Sequence, residues 1–171
     1  MQLLSILGVF RGRPLRTDFR NSTQASSVAD RSDLAECIGA VVEGWAADPE
    51  FPVEAAEWVE DRLAVRIVQA SRDSTTVWID VGARTVSFEA YFLPTPQRNV
   101  DEVHRQLLIR NDRTRFVHFS TDRDGEIYLR SRLAVDWVDS EILQSVFAEI
   151  TELIDIAFRP VLGLGFRAQD G

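Results

Sequence analysis

The chain has 171 residues, with 19 basic and 27 acidic side chains, a net charge of −8 and a pI near 4.8. This length suits one domain that can bury its own core, and the acidic balance argues against nucleic acid, whose phosphates are held by concentrated basic residues. A single cysteine, Cys37, permits no internal disulfide and fits a reducing, cytoplasmic setting, and no apolar run approaches the ~18 residues of an integral membrane segment.

Residues 1–30 differ from the remainder. Arg11, Arg13, Arg16 and Arg20 stand against Asp18 and Asp30, and the tract from Asn21 to Ser27 is polar and linker-like. These residues are read as a flexible N-terminal extension, 31–167 as one domain and 168–171 as a tail. The first helix is expected over about Asp33–Ala46, capped by Ser32. Its apolar stripe is Leu34, Cys37, Ile38, Val41, Val42 and Trp45. Asp48-Pro49 and Pro52 end it, and Val53–Asp61 reads as a further short helix.

Three strands follow, at about Leu63–Gln69, Thr75–Val81 and Thr85–Leu93, with links too short for anything but antiparallel hairpins. Pro94-Thr95-Pro96 stops the third. A second helix is expected from Asn99 to Asn111, with Asn99 and Glu102 spaced as a capping box. Two more strands, about Arg115–Thr121 and Glu126–Leu133, flank the hairpin signal Asp124-Gly125. The last helix starts at an Asp139 N-cap and is expected to end at Arg159, before Pro160 and Gly163.

The predicted fold is therefore α+β: a five-stranded twisted antiparallel sheet in the order α-β-β-β-α-β-β-α, with helices packed on its aliphatic face. The apolar members of the last helix span an arc of roughly 200°. That is about twice what one sheet covers, so a second buried contact is required, either the first helix or another subunit. Glu141, Glu149, Glu152 and Asp155 mark its expected wet side. The sheet's other face would carry Arg66, Trp78, Glu89, Tyr91, His118, Tyr128 and Arg130, a mixture of aromatics and arginines typical of recognition surfaces.

No constellation has the spacing of a catalytic or metal site. Asp101 and His104 share a helix face as ordinary helix charges do. His118 reads as a packed or hydrogen-bonded histidine, with no partner at ligand spacing. A calcium loop starting at Ser120 would place Ser131 where a bidentate Glu is needed. Gly163-Leu164-Gly165 follows a helix instead of opening one, so it cradles no phosphate. Neither a cofactor nor an enzymatic activity is expected.

Several stretches carry a family likeness: Thr75-Thr76-Val77-Trp78, Val86-Ser87-Phe88-Glu89-Ala90-Tyr91, Pro96-Gln97-Arg98-Asn99, Leu107-Leu108-Ile109-Arg110-Asn111, His118-Phe119, Asp124 to Leu129, and Leu162-Gly163-Leu164-Gly165-Phe166. In this order and spacing they resemble the YbjN-like proteins, bacterial proteins described as sensory transduction regulators. The likeness covers roughly Leu34 to Phe166. It implies a fold similar to the type III secretion chaperones, which are typically homodimers that hold an extended segment of a client. It implies no catalytic residues. The expected role is a non-catalytic, homodimeric protein-binding module for a client or regulatory protein, with a ligand-sensing regulator as the alternative.

Overall fold

The computed structural model describes residues 28–166. The elements are α1 (Val28–Ala46), β1 (Val53–Val59), β2 (Arg62–Val68), β3 (Ser74–Val81), β4 (Thr85–Leu93), α2 (Val100–Asn111), β5 (His118–Thr121), β6 (Ile127–Ala134) and α3 (Ser140–Gly165). A short 3-10 turn, Val135–Trp137, joins β6 to α3. All neighbouring strands are antiparallel, in the order β1-β2-β3-β4-β6-β5. The expected extension lies outside the described residues except for Val28–Asp30, which open α1; the expected tail lies outside them entirely.

The sheet has six strands and not five. The extra one is β1, over the residues expected to form a short helix. Ala and Glu favour helix, but tertiary pairing overrides that preference. Val59 faces Arg62 across the two-residue turn Glu60-Asp61, and Ala56 faces Val65. Glu60 takes a left-handed backbone (φ 58) to make that turn. Trp58 lies over Gly39 of α1, where an added Cβ would come within 3.3 Å of the indole Nε1. Glycine there lets the helix approach the edge strand.

One face of the sheet is sealed. Leu63, Val65, Ile67, Val77, Ile79, Val86, Phe88, Ala90, Ile127 and Leu129 are buried together with Ile38, Val41 and Val42 of α1 and Leu143, Val146, Phe147, Ile150 and Ile154 of α3. The wide apolar arc of α3 is taken up within the chain. Phe147 meets Trp45 of α1 edge-on, with centroids 5.4 Å apart, and at the other end Gly165 lies close against Val103 of α2. Ile156 alone among the arc's large aliphatics stays clearly exposed.

The end of α3 and the start of α2 depart from expectation for identifiable reasons. α3 runs through Pro160 to Gly165. Proline leaves the Ile156 carbonyl without its helical donor, but both residues lie on the exposed side. The terminal carbonyls are satisfied by the preceding loop: Gln97 and Arg98 donate to the Gly165 oxygen. The Asn99 carboxamide donates to the Leu164 oxygen at 2.9 Å, which is why it forms no capping box. Asn99 is left-handed (φ 50) and its side chain caps no amide of α2. Glu102 is instead held by Arg105 (2.7 Å) and Gln106 (2.9 Å), which depress its carboxyl to about 2, the Arg105 hydrogen bond contributing most.

Two polar clamps fix the sheet's margins. Arg72, between β2 and β3, donates to the Phe92 and Tyr91 carbonyls at 2.9 and 2.7 Å and to Thr75 at 2.8 Å. It also sits 5.1 Å over the Phe158 ring. Asn111 closes the β5 edge: its carboxamide accepts from the Phe119 N–H (2.7 Å) and donates to the Phe119 carbonyl (3.0 Å). With those backbone groups engaged, β1 is the more open of the two sheet edges.

Candidate functional site

The face opposite the helices is built by strict alternation. In β2, β3, β4, β5 and β6 every second residue turns away from the core, and the register sets these residues in transverse rows. One row runs Ala64, Trp78, Glu89, Arg130, His118 across β2, β3, β4, β6 and β5. The next runs Arg62, Asp80, Ser87, Arg132. On the other side, Tyr91 faces Tyr128, which faces Ser120.

Trp78, Glu89, Arg130 and His118 thus come together in one line. Tyr91 and Tyr128 meet edge-on, with centroids 5.5 Å apart and rings inclined by 81°. Arg66 stands apart, paired with Glu54 at 2.8 Å. The His118 side chain is exposed and makes no hydrogen bond with the described residues, contrary to its expected packed or bonded state. Arg62, Asp80, Ser87 and Arg132 belong beside them and were not singled out from sequence. Arg132 lies two residues beyond Arg130 in the same strand, so the alternation already pointed to it. Arg62 lies one residue before the expected strand start.

The polar groups hold one another in place. Glu89 is shared: its Oε2 accepts from Arg130 Nε at 2.8 Å and its Oε1 lies 3.8 Å from Arg62 Nη2. The Arg62 guanidinium sits 4.9 Å over the Trp78 ring and that of Arg130 4.5 Å over Tyr128. Arg130 Nη1 also donates to Ser120 Oγ at 3.3 Å. Exposed ion pairs of this kind contribute only about 0–1 kcal/mol each to stability. Their consequence is orientation, with planar cations laid against aromatic faces. Between the rows lies a depression of about 400 Å³ whose lining is made of strand residues, among them Arg62, Trp78, Glu89, His118, Arg130 and Arg132.

The two phenols are shifted in the same direction. Tyr128 donates to Glu126 Oε2 at 2.9 Å, and this bond, with smaller contributions from desolvation and nearby carboxylates, pushes its hydroxyl up to about 12. Desolvation, then the charge of Glu126, raises Tyr91. These are the chain's only tyrosines, so absorbance of tyrosinate at 295 nm reports on this face alone. Folded protein should be less ionised at pH 10 than denatured protein, with the Tyr128 step near pH 12. Denatured protein should titrate near the ordinary value of about 10. Because the folded values are raised, the associated stabilisation is complete below the unfolded pKa and is lost as pH climbs through the folded one. Coincident folded and denatured curves would contradict the geometry.

Elsewhere, His104 is half-buried, its Nε2 out of contact with solvent and without a hydrogen-bond partner among the described residues, and Asp101 is exposed. Asp124-Gly125 forms the expected turn, with Asp122 Oδ1 accepting from Asp124 and Glu126 N–H at 2.9 Å each. Among the described residues no three His, Cys, Asp or Glu side chains are grouped to hold a metal ion, and no helix is long and apolar enough to cross a membrane.

A family model described as "YbjN: Putative bacterial sensory transduction regulator" matches residues 39–162. The chain belongs to the YbjN family. Uncharacterised proteins of Mycobacterium leprae and Mycobacterium tuberculosis are similar to it. The first is 33% identical over 63% of this chain and 58% of its own length; the second is 36% identical over 53% of this chain and 49% of its own. The chain thus spans about half the length of these relatives. Among solved structures, a chain of the ExsC–ExsE complex superposes with a TM-score of 0.51 at 14% identity, covering 72% of this chain and 92% of that one. The likeness is one of fold: this YbjN chain shares the architecture of that chain.

Proposed function

We propose that this YbjN chain is a non-catalytic module that grips an extended segment of a partner protein on the open face of its sheet, acting as a cytoplasmic homodimer in a chaperone- or adaptor-like role. The observation that carries the reading is the asymmetry of the sheet. Helices and core residues seal one face, while the other presents Trp78, Tyr91 and Tyr128 among oriented arginines. Aromatics and arginine are the residues that dominate binding energy at protein interfaces. Strand addition at the open β1 edge would supply backbone hydrogen bonds to the same partner. The second copy is assigned to the exposed Leu108 and Ile109 of α2 and Ile156 of α3, and light scattering of the full chain tests it.

The face is tested by the double substitution Trp78→Ala/Tyr91→Ala. Both side chains leave the core untouched, so circular dichroism and the melting transition should persist. Affinity for a partner captured by the wild type should fall by tenfold or more, roughly the effect of removing one strong aromatic anchor. Retention of the same partner at wild-type affinity would exclude this face.

A second reading, a regulator that senses a small ligand, is favoured by the depression of about 400 Å³, which lies within the range of small-molecule sites. A reproducible rise in melting temperature with a metabolite, abolished by Trp78→Ala, would support it over the first.

A further inference from the structure

The depression between β2, β3, β4, β6 and β5 has a charge that runs against the chain as a whole. The protein carries a net −8, a balance that by itself favours basic partners. Inside the depression, three guanidinium groups (Arg62, Arg130, Arg132) and the His118 imidazole face two carboxylates, Asp80 and Glu89. Glu89 spends both oxygens on Arg62 and Arg130. The side chains of Arg132 and His118, and that of Asp80 as the remaining carboxylate, make no ion pair or hydrogen bond with the described residues, so three cations and an imidazole stand against one unengaged carboxylate. Arg62 Nε is withdrawn from solvent without an acceptor. Donor capacity therefore exceeds acceptor capacity in a place where the cations are already oriented by Trp78 and Tyr128.

We propose that this depression takes the carboxylate of an Asp or Glu side chain carried by an extended partner segment, with an apolar or aromatic neighbour of that residue laid on Trp78. Arg132 provides the free guanidinium for a two-pronged contact, and the Arg62–Trp78 stack forms one wall. A polypeptide is favoured over a free small anion because strands alone line the depression. Small-ligand sites usually bury most of the ligand's surface, whereas a bound strand carries its own cover along the face. The inference rests on the reading of the open face as a partner-binding surface and specifies the partner's chemistry.

The test uses the full chain and fluorescence anisotropy with labelled peptides of about ten residues, long enough to cross six strands at roughly 4.8 Å spacing. One peptide alternates Glu with Val and Tyr; in two others Gln or Lys replaces Glu. The Glu peptide should bind about tenfold or more tightly than the Gln peptide, with binding that weakens in added salt. Arg132→Glu should remove that preference and shift it toward the Lys peptide. Since Arg132 is exposed, its replacement leaves the core intact, and an unchanged melting curve verifies this. Equal binding of the Glu and Gln peptides, no binding of any of them, or an unaltered preference in Arg132→Glu, overturns the proposal. So does N-acetylglutamate amide competing at the peptide's own affinity, because the site would then be one for a small anion. Loss of partner binding in Trp78→Ala/Tyr91→Ala with full retention in Arg132→Glu would leave the face as a binding surface and remove only the carboxylate.

Discussion

Phe147→Ala is expected to lower the free energy of unfolding by about 3–5 kcal/mol, the range for deleting a fully buried aromatic ring. Phe147 is 0% exposed and stands edge-on to Trp45, which in turn stacks on Phe51 with centroids 5.5 Å apart and planes inclined by 9°. One ring of α3 therefore joins α1 and the segment leading into β1. Its loss removes transfer energy and leaves a void bounded by groups from three elements that cannot all move inward. Small domains have about 5–15 kcal/mol in total, so the variant should fold but unfold at much lower denaturant. Urea titration followed by circular dichroism and tryptophan fluorescence measures this. Phe147→Leu, which keeps most of the volume, should lose far less. A cost under about 1.5 kcal/mol for alanine would mean that α1 collapses into the space and is not rigidly tied to α3.

The same contact explains why the breadth of the apolar arc in the last helix was legible while its partner was not. Periodicity reports how many directions a helix buries, but not what lies there. Trp45 and Val103 are distant from α3 in sequence, and a homodimer would have produced the same pattern. Alternation placed all seven candidate site residues on one face, because a strand's period is insensitive to small errors in its ends. It omitted Arg62 because the strand start was read one residue late. β1 was missed for a different reason. Val53-Glu54-Ala55-Ala56-Glu57 has the composition of a helix, and what makes it a strand is the hairpin with β2, a non-local preference. Two of the four acids expected on the wet side of α3, Asp155 and Glu149, depart from that reading on the same ground, while Glu141 is exposed as expected. Charge on a helix normally marks the solvated side, yet Asp155 accepts from the Ser71 N–H at 2.9 Å and Glu149 is turned toward the chain before β5. No single-helix pattern distinguishes a solvated carboxylate from one that meets backbone donors of another segment.

Glu149 shows how much depends on that difference. Its Oε1 accepts from the Arg115 N–H at 2.6 Å and its Oε2 from the Phe116 and Val117 N–H groups at 2.8 and 2.7 Å. Three consecutive backbone donors that would otherwise extend a strand end on one carboxylate, which is why β5 begins at His118 and not at Arg115. Hydrogen bonds to charged groups are worth about 1.5–3 kcal/mol each, with losses that do not simply add. Glu149→Ala should therefore cost about 3 kcal/mol, measured by chemical denaturation. Glu149→Gln should recover only part of it, because the amide nitrogen is a donor placed where a second acceptor is required. Hydrogen exchange localises the effect: the amides of Arg115, Phe116 and Val117 should lose protection first, with β3 and β4 unaffected. β5 positions His118 at the rim of the depression, so the variant should also weaken partner binding without any change to the face itself. Wild-type protection at the three amides in Glu149→Ala would show that other acceptors hold this segment, and that the link from helix to site runs elsewhere.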